Sequence, residues 1–208
     1  ADSYGARYCS DGSLAAKVGY TSYEFQTKPG TVSLQLKQLV DLYPDDTGPD
    51  CGMHVHVSFT CETYFSLLST REFFDYFKTR WESWGAKMRL DPESEFYRRL
   101  IGKNQYCIPN TNTDRPYSED RYRQLNFSSY GEHKTVECRL LPMFRDKTLA
   151  VSAVLELVSI YKDWISLASA SRALPEVGFN DVPADFGATV NLSSELDLSF
   201  MAVAHHSE

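Results

Sequence analysis

No stretch of the sequence approaches the ~18–20 consecutive apolar residues that carry a helix across a bilayer, so a membrane-spanning helix is excluded. There is no CxxC pair. The five cysteines, Cys9, Cys51, Cys61, Cys107 and Cys138, are odd in number and widely scattered. That pattern argues against a zinc ribbon or a disulfide scaffold, and predicts buried thiols in a reducing, cytoplasmic compartment. Cationic residues are in deficit, with 21 Lys and Arg against 28 Asp and Glu and a formal charge of -7. The mean field therefore repels polyanions, and neither nucleic acid nor an anionic membrane surface is an expected partner. GxGxxG, the Walker loop, HExxH and GxSxG are all missing. No internal repeat or low-complexity tract suggests a solenoid or a disordered chain.

What is present is an ordinary globular composition. Of 208 residues, 42% are hydrophobic and 24% charged, enough to bury roughly 70% of the extended surface in one core. Tyr20 to Thr27 alternates in polarity and predicts a strand with Ser22, Glu24 and Gln26 on one face. Val32, Leu36, Leu39, Val40 and Tyr43 recur at helical spacing. CGMHVHVSF at 51–59 alternates again. Ser69 with Glu72 forms a capping box for a helix carrying Phe73, Phe74, Phe77, Trp81, Trp84 and Met88. Asp91-Pro92 opens a short helix to about Ile101, a polar loop spans 102–120, and strands are predicted at 121–128 and 135–141. A long helix covers about 147–170. The predicted fold class is α+β, an antiparallel or mixed sheet with helices packed on one face. Residues 1–172 form the expected domain and 173–208 a C-terminal arm.

Three clusters carry possible chemistry. His54 and His56 lie two apart on a strand, so both imidazoles project from one face, suited to a metal or an anion. A solvated pair is the plainer alternative. Glu137 and Arg139 share a face in the same way; they are either a surface ion pair or, in a cleft, a metal ligand beside a fork for a substrate carboxylate. Arg121 and Arg123 share a strand face, either a layout suited to phosphate oxygens or a solvated basic edge, and with Arg139 and Arg145 they concentrate positive charge within 25 residues of an acidic chain. Such a field suits a small polyanion such as a nucleotide triphosphate. The aromatics at 73–88 could form a stacking platform, but helical core packing accounts for their spacing.

In this order the pieces resemble the amidoligase branch of the glutamine synthetase-like carboxylate–amine ligases. Asp11-Gly12-Ser13 comes first, then a strand bearing Glu24, then CGMHVHVSF, RYRQLNFSS and TVECRLLP. The resemblance covers roughly residues 8–165 and rests on the order of short motifs. It implies a glutamine synthetase-like sheet and ATP-dependent ligation of a small-molecule or peptide carboxylate to an amine through an acyl phosphate. It implies ATP and Mg2+ (or Mn2+) as cofactors. His54 and Glu137, and less directly Glu24, would be metal ligands. His56 would contact the transferring phosphate or the carboxylate, Arg139 would hold a substrate carboxylate, and Arg121 with Arg123 would neutralise phosphates. The family's first strand normally carries G-x-E-x-E, which this chain lacks before Asp11; the strand is expected to lie upstream or to have been lost. Its loss would favour a non-catalytic binding or assembly module with a protein partner or a second copy of the chain. A mononuclear metalloenzyme using His54, His56 and Glu137 is a third reading.

Overall fold

Residues 6–10, 20–44, 51–59, 62–111, 121–172 and 196–207 are described by the computed structural model. The strands are β1 (Arg7–Ser10), β2 (Tyr20–Gln26), β3 (Gly30–Thr31), β4 (Gly52–Phe59), β5 (Leu125–Asn126), β6 (Thr135–Pro142) and β7 (Leu196–Ser207). The helices are α1 (Val32–Asp41), α2 (Glu62–Leu68), α3 (Arg71–Lys87), α4 (Glu95–Leu100), α5 (Ser129–His133) and α6 (Lys147–Arg172). Every paired strand runs antiparallel to its neighbour, in the order β1-β2-β7-β4-β6-β5, with β3 pairing to β7. The molecule is thus α+β with an antiparallel sheet.

Alternation decides the two faces at the centre of that sheet. Met53, Val55 and Val57 of β4 are fully buried, as are Val136 and Cys138 of β6. They join one core with the aromatic stripe of α3 and the stripe Ala150, Ala153, Val154, Leu157 and Ile160 of α6. Burying a side chain of Val, Leu or Phe size contributes about 1.5–3 kcal/mol, so the helices are held on the sheet chiefly by this face. The rings interlock: Trp81 and Trp84 meet edge to face with centroids 5.3 Å apart, and Trp84 and Phe96 of α4 meet tilted at the same distance. The aromatics of α3 are therefore core, as their spacing predicts.

Several boundaries differ from expectation. The cap of α3 is Thr70, whose Oγ1 accepts from the Phe73 amide (3.2 Å). Ser69 instead donates to the Ser66 carbonyl (3.3 Å) because α2, which the periodicity did not announce, ends there. Pro92 sits in a turn before α4, where Asp91 Oδ1 accepts from the Glu93 amide (2.9 Å). The predicted strand at 121–128 shrinks to β5. Its first residues pair elsewhere: the Ile108 amide donates to the Tyr122 carbonyl (2.7 Å) and the Gln124 amide to the Ile108 carbonyl (2.8 Å).

The C-terminal arm also requires correction. Its stretch 173–195 lies outside the described residues, as do the Asp11-Gly12-Ser13 turn and 112–120 of the polar loop. Its stretch 196–207 is β7, an inner strand between β2 and β4. A strand with hydrogen-bonded neighbours on both sides completes the sheet and does not wrap it. Cys51, Cys107 and Cys138 are buried free thiols; the side chains of Cys9 and Cys61 lie outside the description. Among the described residues no helix is long and apolar enough to cross a membrane.

Candidate functional site

The residues that alternate with the core residues build the site. On β4, His54 and His56 turn away from Met53, Val55 and Val57, and the register sets His56 opposite Glu137 on β6. The three side chains converge. His54 Nδ1 lies 3.1 Å and His56 Nε2 4.0 Å from Oε1 of Glu137. The His54 approach is close without the alignment of a hydrogen bond, since Nδ1 is buried with no bonded partner. His56 is fixed from its other nitrogen, which lies 3.1 Å from Oγ1 of Thr135.

A bulge brings the guanidinium in. Met53 pairs with Leu141 but Val55 pairs with Cys138, so Arg139 and Leu140 together oppose His54. Bulges of this kind re-aim side chains next to functional sites. Arg139 Nη1 donates to Oε1 of Glu137 at 2.8 Å. Asn126, which pairs with Glu137 across β5 and β6, donates Nδ2 to Oε2 (2.5 Å), and Ser129 Oγ lies 3.4 Å from that same oxygen. Glu137 is only 3% exposed.

Burial works against the Glu137 charge, but the contacts with His54, Arg139 and His56 outweigh it and hold the carboxyl well below the ordinary carboxylate range. Burial lowers the pKa of His54, more than Glu137 raises it, and the cations Arg139 and Arg99 push the same way. His56 is lowered too, first by burial and then by His133 and Arg139 against the pull of Glu137. The consistent state near neutral pH is an ionised Glu137 paired with Arg139, beside two neutral imidazoles.

Behind the site stands Arg99 of α4, buried like Phe96 and Leu100. Its Nη1 donates to the Arg139 carbonyl (3.2 Å), Nη2 to the Cys51 carbonyl (3.4 Å) and Nε to Glu95 (3.1 Å). It thereby ties the helix to the start of β4 and to the bulge on β6. Gly52 makes room for it. A Cβ there would stand 2.9 Å from Nη1 of Arg99 and 3.3 Å from Nε2 of His54.

The other predicted site residues stand apart. By register Glu24 shares the polar face, but β7 separates its strand from β4. Two strand spacings amount to about 10 Å, and the Glu24 carboxylate accepts from Gln26 Nε2 (2.8 Å). Arg121 and Arg123 do not share a strand face, because β5 begins after them. Arg121 lies in an exposed turn with its guanidinium over Tyr122, 5.1 Å from the ring centre. Arg123 donates Nη1 to the Pro109 carbonyl (3.1 Å).

Arg99 and Asn126 are site residues that the sequence pattern does not single out. For Arg99 one signal existed: an arginine beside Phe96 and Leu100 on the apolar side of a short helix. Asn126 stood inside RYRQLN but only as part of a pattern. The Arg139 bulge carried no signal, since strict alternation at 135–140 accounts for the same residues.

No group of three His, Cys, Asp or Glu suited to holding a metal occurs among the described residues. The local geometry agrees: both Glu137 oxygens are already engaged by Arg139 and Asn126, and Glu24 is two strands away. What the cluster can offer is a buried cation–carboxylate pair flanked by neutral bases. Comparison of the chain with known family models, with curated proteins and with solved structures gives no match.

Proposed function

We propose that the chain is a carboxylate–amine ligase of the glutamine synthetase-like type, acting in the cytoplasm, that consumes ATP to form an amide through an acyl phosphate. The observation that carries this reading is the convergence of His54, His56 and Arg139 on Glu137 (3.1, 4.0 and 2.8 Å) from two paired strands. Arg139, its fork half used by Glu137, takes the substrate carboxylate through its remaining donors. Arg121 at the rim and Arg123 supply positive field for phosphate oxygens, and charge on a transferring phosphoryl group is stabilised by such groups without covalent help.

His56 is suited to the second half-reaction. As a neutral imidazole near an ionised carboxylate it can accept the proton that the attacking amine loses as the carbon–nitrogen bond forms and phosphate departs. Glu137, 4.0 Å away, then stabilises the imidazolium. His54, Glu137 and Glu24 do not fit a protein-held metal, because the carboxylate oxygens of Glu137 are occupied and Glu24 is remote. Mg2+ therefore enters this reading only as the counter-ion of the nucleotide.

That misfit favours a second reading, a non-catalytic binding or assembly module in which the same network is a structural tie. Hydroxylamine separates the two. Supplied as the amine with Mg-ATP and a panel of carboxylates, it traps an acyl phosphate as a hydroxamate. Hydroxamate formed in step with ADP supports the ligase; neither product with any carboxylate refutes it.

A further inference from the structure

Just outside the Glu137 network lies an aromatic rim that amide chemistry by itself leaves unused. Tyr106 and Tyr122 meet edge to face with ring centres 5.6 Å apart. The Arg139 guanidinium lies 5.8 Å from the Tyr122 ring centre, and its Nε donates to the Tyr106 carbonyl (3.4 Å). Arg121 lies over the same Tyr122 ring. Tyr106 is 44% exposed, so one end of this aromatic pair faces solvent beside two cations. With Nη1 on Glu137 and Nε toward Tyr106, Arg139 has no partner for Nη2 among the described residues.

We infer that the carboxylate taken by Arg139 belongs to a molecule with an aromatic ring, and that this ring lies against Tyr106. The inference rests on the ligase reading for the fate of the carboxylate, though not for its binding. A carboxylate on Nη2 and a ring attached directly or through one carbon reach from Arg139 to the neighbouring tyrosine. A third ring would extend the edge-to-face pair, the geometry that aromatic quadrupoles favour. A nucleotide cannot use both points in the same way. Its ribose and inner phosphates separate the base from the terminal phosphate, so a transferring phosphoryl group near Arg139 leaves the base far from Tyr106.

The experiment is calorimetric titration of the full chain, without ATP, with benzoate, phenylacetate, acetate and AMP. Benzoate or phenylacetate should bind about tenfold more tightly than acetate. Tyr106→Ala should abolish that advantage with acetate still bound, and Tyr106→Phe should retain it. Equal affinities for ring and acetate would overturn the inference. So would an advantage that survives Tyr106→Ala, or AMP binding that depends on Tyr106 when benzoate does not bind. Ring-selective binding without any ADP release would sink the ligase reading alone. ADP release restricted to aliphatic carboxylates would sink only the aromatic one.

Discussion

The β4–β6 pair has two faces built from alternate residues of the same strands, and they are stabilised by different physics. On one, Met53, Val55, Val57, Val136 and Cys138 meet the rings of α3 and the stripe of α6. That contact is non-directional and roughly proportional to area, so many residues share the stability. On the other, one carboxylate is contacted by His54, Arg139, Asn126 and Ser129, and its environment depends on every member. A buried ion pair contributes little net stability against an apolar replacement, but removing one partner is costly. The polar face therefore depends on a few specific partners, where the apolar face spreads its stability over many.

The largest expected effect falls on the apolar face. Trp81→Ala removes a fully buried side chain and should cost about 3–5 kcal/mol in denaturant unfolding. Ligand affinity per folded molecule should stay unchanged. If affinity collapsed in step with stability, the two faces would not be separable.

On the polar face, Glu137→Gln keeps the shape but leaves the Arg139 charge unpaired, at a cost of about 3 kcal/mol, and should abolish hydroxamate formation. Acidification sharpens the same contrast. The folded-state pKa values of His54 and His56 lie below the ordinary 6.5, so the stability they contribute is present above pH 6.5 and is lost as pH falls below it. Glu137 is likewise depressed from 4.5, so its contribution is lost only below that value. Unfolding free energy should decline from pH 6.5 and steepen below 4.5, and Glu137→Gln should remove the steeper lower limb. A wild-type profile flat from pH 7 to pH 4 would contradict the assigned charge states.

The smallest effect belongs to neither face. Arg80 on α3 bonds Glu156 (2.7 Å) and Asp163 (2.6 Å) across to α6. These groups are partly exposed, so Arg80→Ala should cost less than about 1 kcal/mol and less still in salt. A larger loss would mean that the helices are held to each other by charge as much as by their rings.

Period-two and helical patterns located β2, β4, β6, α1, α3 and α6, because each has an apolar stripe whose spacing only one kind of element can bury. The same alternation put His54, His56 and Glu137 on one side of their strands. It could not reveal that two strands would pair in the register that sets His56 opposite Glu137, since pairing is a tertiary choice. Nor could it show β7 entering between β2 and β4. The bulge at Arg139 was hidden because both residues of the extra step fit an ordinary strand. Arg121 and Arg123 were misplaced for the opposite reason: their apparent alternation belonged to a turn and a short bridge to Ile108.

If the chain is the proposed ligase, a substrate oxygen passes to phosphate at the Glu137 cluster on the way to the amide. Full-length protein with Mg-ATP, hydroxylamine and a carboxylate labelled with heavy oxygen tests this most directly, by mass analysis of the phosphate released. An acyl phosphate requires one labelled oxygen in the phosphate for each hydroxamate formed. Phosphate released without label would mean that water, not the carboxylate, attacks ATP, and the ligase assignment would fail.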